Sequence, residues 1–222
     1  MKLFRCSATN ELRFDFRIHL QEELLGTYLN QSGLIGGAVI FDSESKGLLE
    51  RLPEGKDWKL FRSGGLIRGE QADGVYLDRR THGLPTEEVF SNIAARRLPV
   101  LVWCGDDYSA TLVEKEILPQ TSTPIVLGSL GCYPCSEGGL KSAVELAQKN
   151  ERVYLELSAV SIGNFIKYAA EIVPDRLVFG SQAPFCEPDA QWSHVAASVL
   201  NDETLVKVAR ETSAKIFEEV TK

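Results

Sequence analysis

Eight short apolar runs recur along this chain, most of them followed by a stretch of helical patterning, and that alternation limits the folds open to it. The runs are LRFDFRI (12–18), IGGAVIF (35–41), WKLFR (58–62), GVYLD (74–78), LPVLVW (98–103), PIVLG (124–128), RVYLEL (152–157) and RLVFG (176–180). Most have too little polar alternation to leave one face wet, as expected of a parallel sheet covered on both sides. Helical spacing predicts helices over 20–31, 86–97, 109–118, 139–149 and 161–172, the second started by Pro85, Thr86 and Glu87. At the end of the chain Asp202 is a candidate cap, and Leu205, Val208, Ala209, Thr212, Ile216 and Val220 fall on one helical stripe. Eight strands with intervening helices predict an α/β fold, a compact (β/α)8 TIM barrel forming a single domain over 1–222. SGGLIRGEQAD (63–73) is too rich in glycine for a full helix, and Gly36 and Gly37 predict close packing within the second strand.

Composition narrows the partners. The 222 residues carry a net charge of −7 with no Lys/Arg block, which argues against nucleic acid. Polar residues interrupt the opening MKLFRCSATNELRF before a signal-peptide core forms, and LPVLVWC (98–104) falls far short of a membrane span. The expectation is a soluble, cytoplasmic protein with no membrane partner, whose five cysteines are reduced thiols.

A barrel of this kind gathers its chemistry where the loops after the strands converge. That rule selects Arg17, His19, Asp42, Arg62, Asp78, Arg79 and Arg80 from the first four strands. From the later strands it selects Trp103, Cys104, Ser129, Glu156, Ser158 and Gln182.

The same stretches resemble a known family. FDFRIHL (14–20) looks like the D-x-H-x-H-L opening strand of the metal-dependent amidohydrolase superfamily. LPVLVWCG (98–105) and PIVLGSLG (124–131) resemble its fifth and sixth strands, RLVFGSQAP its terminal GSD-P motif, and AKIFEE (214–219) the helix that closes the fold. The resemblance spans nearly the whole chain and is nearest to the branch of decarboxylases and lactone hydrolases. It implies a TIM barrel with a metal at the mouth, yet most of the implied ligand positions are changed. Gln182 stands where an Asp would bind metal and take a proton from water, and Arg17, Trp103 and Ser129 stand where His is the rule. Only His19 is retained.

Those replacements have a chemical consequence. Catalytic zinc needs about three good ligands from His, thiolate and carboxylate. Arg has no lone pair to offer and Trp is a donor only. The expectation is therefore a degenerate member with no metal cofactor. Arg17 would then bind a small anion, with Arg62 or Arg80 as helpers, Trp103 as a wall, and His19, Ser129, Glu156 and Gln182 as further lining. Alternatively Arg17 pairs with Asp15, Asp42 or Glu156 and fills the metal's place. His19 is either an acid/base or a packed residue, while His82 and His194 are expected to be solvated.

The cysteines open another alternative. Cys104, Cys132, Cys135 and Cys186 follow strand ends, so with His19 they could hold zinc in a rewired site. CYPC (132–135) also resembles the C-x-P-C of thiol oxidoreductases, although its expected context is a loop in a barrel. Three functions follow: a metal-free binder of a small anion or of a protein, either a same-fold partner or a second copy; a hydrolase or lyase with a rewired metal site; and a metal-free enzyme using His19 and Arg17. The changed ligand set favours the first.

Overall fold

The computed structural model describes residues 12–66, 70–105, 108–199 and 201–221. The apolar runs form β1 (Arg13–His19), β2 (Leu34–Phe41), β3 (Asp57–Ser63), β4 (Gly74–Leu77), β5 (Val100–Val102), β6 (Ile125–Leu127), β7 (Val153–Glu156) and β8 (Leu177–Val178). All pair in parallel in chain order. The remaining seam is joined by main-chain bonds from Phe16 N to Phe179 O (2.8 Å), Gln182 N to Arg17 O (2.9 Å) and His19 N to Ala183 O (2.8 Å). The fold is thus the expected barrel.

Helices α1 (Glu22–Leu25), α2 (Arg79–His82), α3 (Glu87–Arg96), α4 (Ala110–Glu116), α5 (Glu137–Lys149), α6 (Gly163–Ile172), α7 (Pro188–Ser198), α8 (Asp202–Val206) and α9 (Thr212–Thr221) follow the strands. Side-chain oxygens of Thr86, Ser109 and Ser136 accept the N–H three residues on, fixing the starts of α3, α4 and α5. The final stripe is one helical path in which a π-turn, Lys207–Glu211, joins α8 to α9, and its cap is Asn201 instead of Asp202. Among the described residues no helix lies between β3 and β4, and none is long and apolar enough to cross a membrane.

Besides the single turn α2, two elements depart from the sequence reading. The helix expected over 20–31 is split into α1 and a 3-10 turn, Tyr28–Asn30, because Gly26 ends α1 after one turn while Leu24, Leu25, Tyr28 and Leu29 stay buried. Helix α7 was not anticipated. Glu187 caps it and Pro188 opens it, but only Trp192 and Val195 of its residues are buried, so its apolar periodicity is faint.

Strand alternation sorts the core. In β5, Leu101 points into the barrel with Phe16, Phe61, Tyr76, Val126, Tyr154 and Val178, whereas Val100 and Val102 pack outward under the helices. The end of the barrel at the strand N-termini is filled by Phe217 of α9, whose ring lies 5.8 Å from Phe14 and 5.7 Å from Phe16. Gly36 lets β2 and β3 approach, since a Cβ there would sit 2.1 Å from Asp57 O.

Candidate functional site

The site begins with an irregularity in β1. The β1–β2 register shifts between Asp15 and Ile18. A bulge of this kind breaks the two-residue alternation, so Phe16 and Arg17, although consecutive, both face the barrel interior. Asp15 faces the other way. Its Oδ1 accepts from Arg17 N (3.0 Å) and Ser181 N (2.8 Å), and its Oδ2 from Tyr28 Oη (2.7 Å), tying β1 to the segment after β8. Burial outweighs these donors and pushes the Asp15 carboxyl up to about 6.

Arg17 fills the centre of the mouth with 1% of its surface exposed. Its Nη1 lies 3.1 Å from Ser158 Oγ, 3.5 Å from Ser129 Oγ and 3.6 Å from Glu156 Oε2, and its Nη2 lies 3.4 Å from Tyr76 Oη. The guanidinium carbon is 4.1 Å from the centroid of the Trp103 ring, a cation–π distance. Glu156 is equally buried and also accepts from Ser129 N (3.1 Å), Ser158 N (2.7 Å) and Ser158 Oγ (2.9 Å). Three donors plus a guanidinium satisfy its charge well. A buried ion pair needs that extra bonding to offset desolvation.

Local backbone makes room for the pair. Gly180 is required because a Cβ there would fall 1.9 Å from Glu156 Oε1. Ser129 adopts a left-handed conformation (φ 54°, ψ 49°), and its N–H reaches the Glu156 carboxylate.

His19 stands one layer nearer solvent. Its ring is edge-on to Tyr76 (5.4 Å) and Phe185 (5.1 Å), and its Nε2 is buried without a hydrogen-bond partner. Burial, reinforced by the positive Arg17, lowers its pKa to about 3, with Asp78 opposing. The imidazole is therefore neutral at pH 7 and a weak base. Gln182 has a left-handed backbone (φ 60°), and its carbonyl accepts from Phe185 N (2.9 Å). Its side-chain Oε1 is buried without a partner.

The other expected residues lie further out. Arg80 is 55% exposed, pairs with Asp78 at 3.1 Å, and its guanidinium carbon is 5.2 Å from the Trp103 centroid. Arg62 turns instead to Glu70 (2.9 Å) and Ser43 (3.1 Å). Asp42 caps its own turn through Glu44 N and Ser45 N, both 2.9 Å. His82 is exposed and contacts Ser63 Oγ at 3.3 Å. His194, expected in solvent, is partly buried on α7 with an inaccessible Nε2, because that face of the helix packs toward α6.

The thiols are dispersed. Cys104 is buried beneath the mouth, and burial pushes its thiol well up. Cys132 and Cys135 both turn to Ser129 O, the first through its N–H (3.1 Å) and the second through its Sγ (3.7 Å). Cys135 and Cys186 line a cavity of about 510 Å³ between the loops after β6, β7 and β8. Among the described residues no three His, Cys, Asp or Glu side chains converge as a metal site requires. The donor set that does converge, Arg17, Trp103, Ser129 and a carboxylate already engaged by Arg17, does not fit a catalytic zinc.

The structure thus brings Arg17, Trp103, Ser129 and Glu156 together, with His19 alongside. Two participants were missed. Tyr76 was detectable as the inward position of β4, whereas nothing local marked Phe185, which is carried by the turn after Gln182.

No protein-family profile matches the chain, and no curated protein matches it. Solved structures do. An amidohydrolase 2 from Bifidobacterium longum subsp. infantis is 13% identical with a TM-score of 0.65, over 93% of this chain and 98% of that one. A probable 2-pyrone-4,6-dicarboxylic acid hydrolase from Acinetobacter baumannii with citric acid bound is 12% identical with a TM-score of 0.68, over 94% of this chain and all of that one (100%). A dihydroxybenzoic acid decarboxylase from Polaromonas sp. JS666, with bound manganese and the inhibitor 2-nitroresorcinol, is 11% identical with a TM-score of 0.63, over 94% and 97% of the two chains. Likeness at these identities concerns the fold: the chain is a TIM barrel whose structural neighbours are amidohydrolase 2 proteins, hydrolases and decarboxylases.

Proposed function

We propose that this barrel is a metal-free binding protein of amidohydrolase type, in which the Arg17–Glu156 ion pair occupies the place of the metal centre and the mouth takes a small carboxylate anion. One observation carries the reading: a guanidinium with 1% exposure is held 3.6 Å from a buried carboxylate at the centre of the mouth. A fixed cation there repels a divalent ion, and the site loses the means of making hydroxide at neutral pH.

The carboxylate preference rests on the solvent side of Trp103. Arg17 has its fork engaged beneath the indole, whereas Arg80, bonded to Asp78 through Nε (3.3 Å) and Nη2 (3.1 Å), keeps a 55%-exposed guanidinium beside it, a positive charge that attracts carboxylates from solvent. The neighbours supply the probe. One is named for a dicarboxylic acid and holds citrate, and another is named for a benzoic acid.

Elemental analysis of protein purified without chelator or metal-affinity tag is the first test. Metal far below one atom per chain is the expected result, and near-stoichiometric zinc, iron or manganese would overturn the reading. Calorimetric titration with citrate and benzoate then tests the ligand, with binding weakened in Arg80→Ala.

A second reading, a protein partner at the same mouth, is favoured by Phe185 (65% exposed), Leu84 (54%) and Tyr133 (42%) on the loops beyond the strand ends. A same-fold partner or a second copy would cover them. Light scattering across concentration, alone and with co-purified protein, separates these occupants.

A further inference from the structure

The cavity of about 510 Å³ beside the Arg17 centre has a lining that the proposed anion site does not use. Cys135 comes to it from the loop before α5, Cys186 from the loop before α7, and His194 from α7 itself. Behind Cys135 sits Cys132, only 8% exposed. The two residues meet at one carbonyl, since Ser129 O accepts from Cys132 N (3.1 Å) and lies 3.7 Å from Cys135 Sγ.

Cys132 has a second, independent setting. Its sulfur packs on the first turn of α5. Gly139 makes that possible, because a Cβ there would lie 2.6 Å from Cys132 Cβ and 3.5 Å from its Sγ. A helix N-terminus and a donating neighbour both stabilise thiolate. The Cys132 thiol is accordingly lowered, with the Cys135 hydrogen bond as the largest cause. Cys135, the donor, is pushed up, so the first proton lost from the pair leaves a charge held between the two sulfurs.

We propose that Cys132 and Cys135 form a redox-active dithiol that exchanges with a low-molecular-weight disulfide admitted through this cavity. The shared proton passes to Cys132, and Cys135, the cavity-facing member, attacks one sulfur of the incoming disulfide as the thiolate. The incoming S–S bond breaks, a bond forms from Cys135 to the retained half, and the other half leaves as a thiolate that takes up one proton from the pair. Cys132 thiolate then attacks the Cys135 sulfur, closing the protein disulfide and expelling the second half, which takes up the other proton. Two electrons pass from the dithiol to the small disulfide, and two small thiols are released.

The test uses the full chain, fully reduced and then exposed to oxidised glutathione, quenched in acid and mapped by mass spectrometry. The expected product lacks two hydrogens in the peptide carrying Cys132 and Cys135. Cys132→Ser should stop at a glutathione adduct on Cys135, Cys135→Ser should form adducts about tenfold more slowly, and Cys186→Ser should behave as the parent. A Cys135–Cys186 bridge, equal labelling of all cysteines, or formation of the Cys132–Cys135 disulfide only in urea would each overturn the proposal. The parent and Cys186→Ser maps decide the matter even if a serine variant at 132 or 135 fails to fold.

Discussion

Arg17 Nη1 and Glu156 Oε2 lie 3.6 Å apart in the barrel mouth, with 1% and 0% of their side chains exposed. Removing one partner leaves the other charged and out of water, which costs about 3–5 kcal/mol. Glu156→Gln and Arg17→Met should each lose stability on that scale in urea unfolding, and the double variant should recover much of the loss. A single variant within about 1 kcal/mol of the parent would show that the charges are not coupled as described.

Gly180 provides the space for the same carboxylate. Since an added Cβ would meet Glu156 Oε1 at 1.9 Å, Gly180→Ala must displace the ion pair or the β8 backbone. Its expected cost is about 3 kcal/mol or more, read as a lowered thermal midpoint. An unchanged midpoint would place Glu156 elsewhere.

His19 should remain neutral over most of the acid range. Its folded pKa of about 3 lies below the ordinary 6.5, so below pH 6.5 the unfolded chain binds a proton that the folded protein refuses. Stability therefore falls as pH drops from 6.5 toward 3. His19→Gln should flatten that limb, and the His19 ring resonances should not move between pH 8 and pH 5. Titration near pH 6.5 would refute the buried setting.

Asp15 acts with the opposite sign. Its folded pKa of about 6 exceeds the ordinary 3.8, so between those values the folded protein holds a proton that the unfolded chain has released. Stability from this group is full below 3.8 and is lost as pH rises through 6, by about 3 kcal/mol. Asn can accept from the two N–H groups and donate to Tyr28, so Asp15→Asn should keep the fold and remove this loss. A parent and variant with parallel pH profiles from 4 to 7 would contradict it.

Much of the fold was legible because its signals are local. Apolar runs bounded by turn residues became strands, and Thr86 became a cap because its oxygen bonds within its own turn. Helix α7 was not legible, since much of it faces solvent and its apolar spacing is weak. The break at Gly26 was equally hard to read, because the burial of Leu24, Leu25, Tyr28 and Leu29 serves two short turns as well as one helix.

By itself the sequence determined the barrel and the presence at its strand ends of Arg17, Trp103, Ser129 and Gln182, residue types that make poor zinc ligands. Those follow from residue type and order, since a guanidinium has no lone pair in any fold. Only the tertiary structure decided which carboxylate Arg17 meets. Asp15, two residues away, turns its side chain outward across the β1 bulge, while Glu156 arrives from β7 with Ser158 and Ser129 to complete its bonding. A register shift of one strand and the missing side chain of Gly180 set that choice, and both act through contacts between segments far apart in the chain.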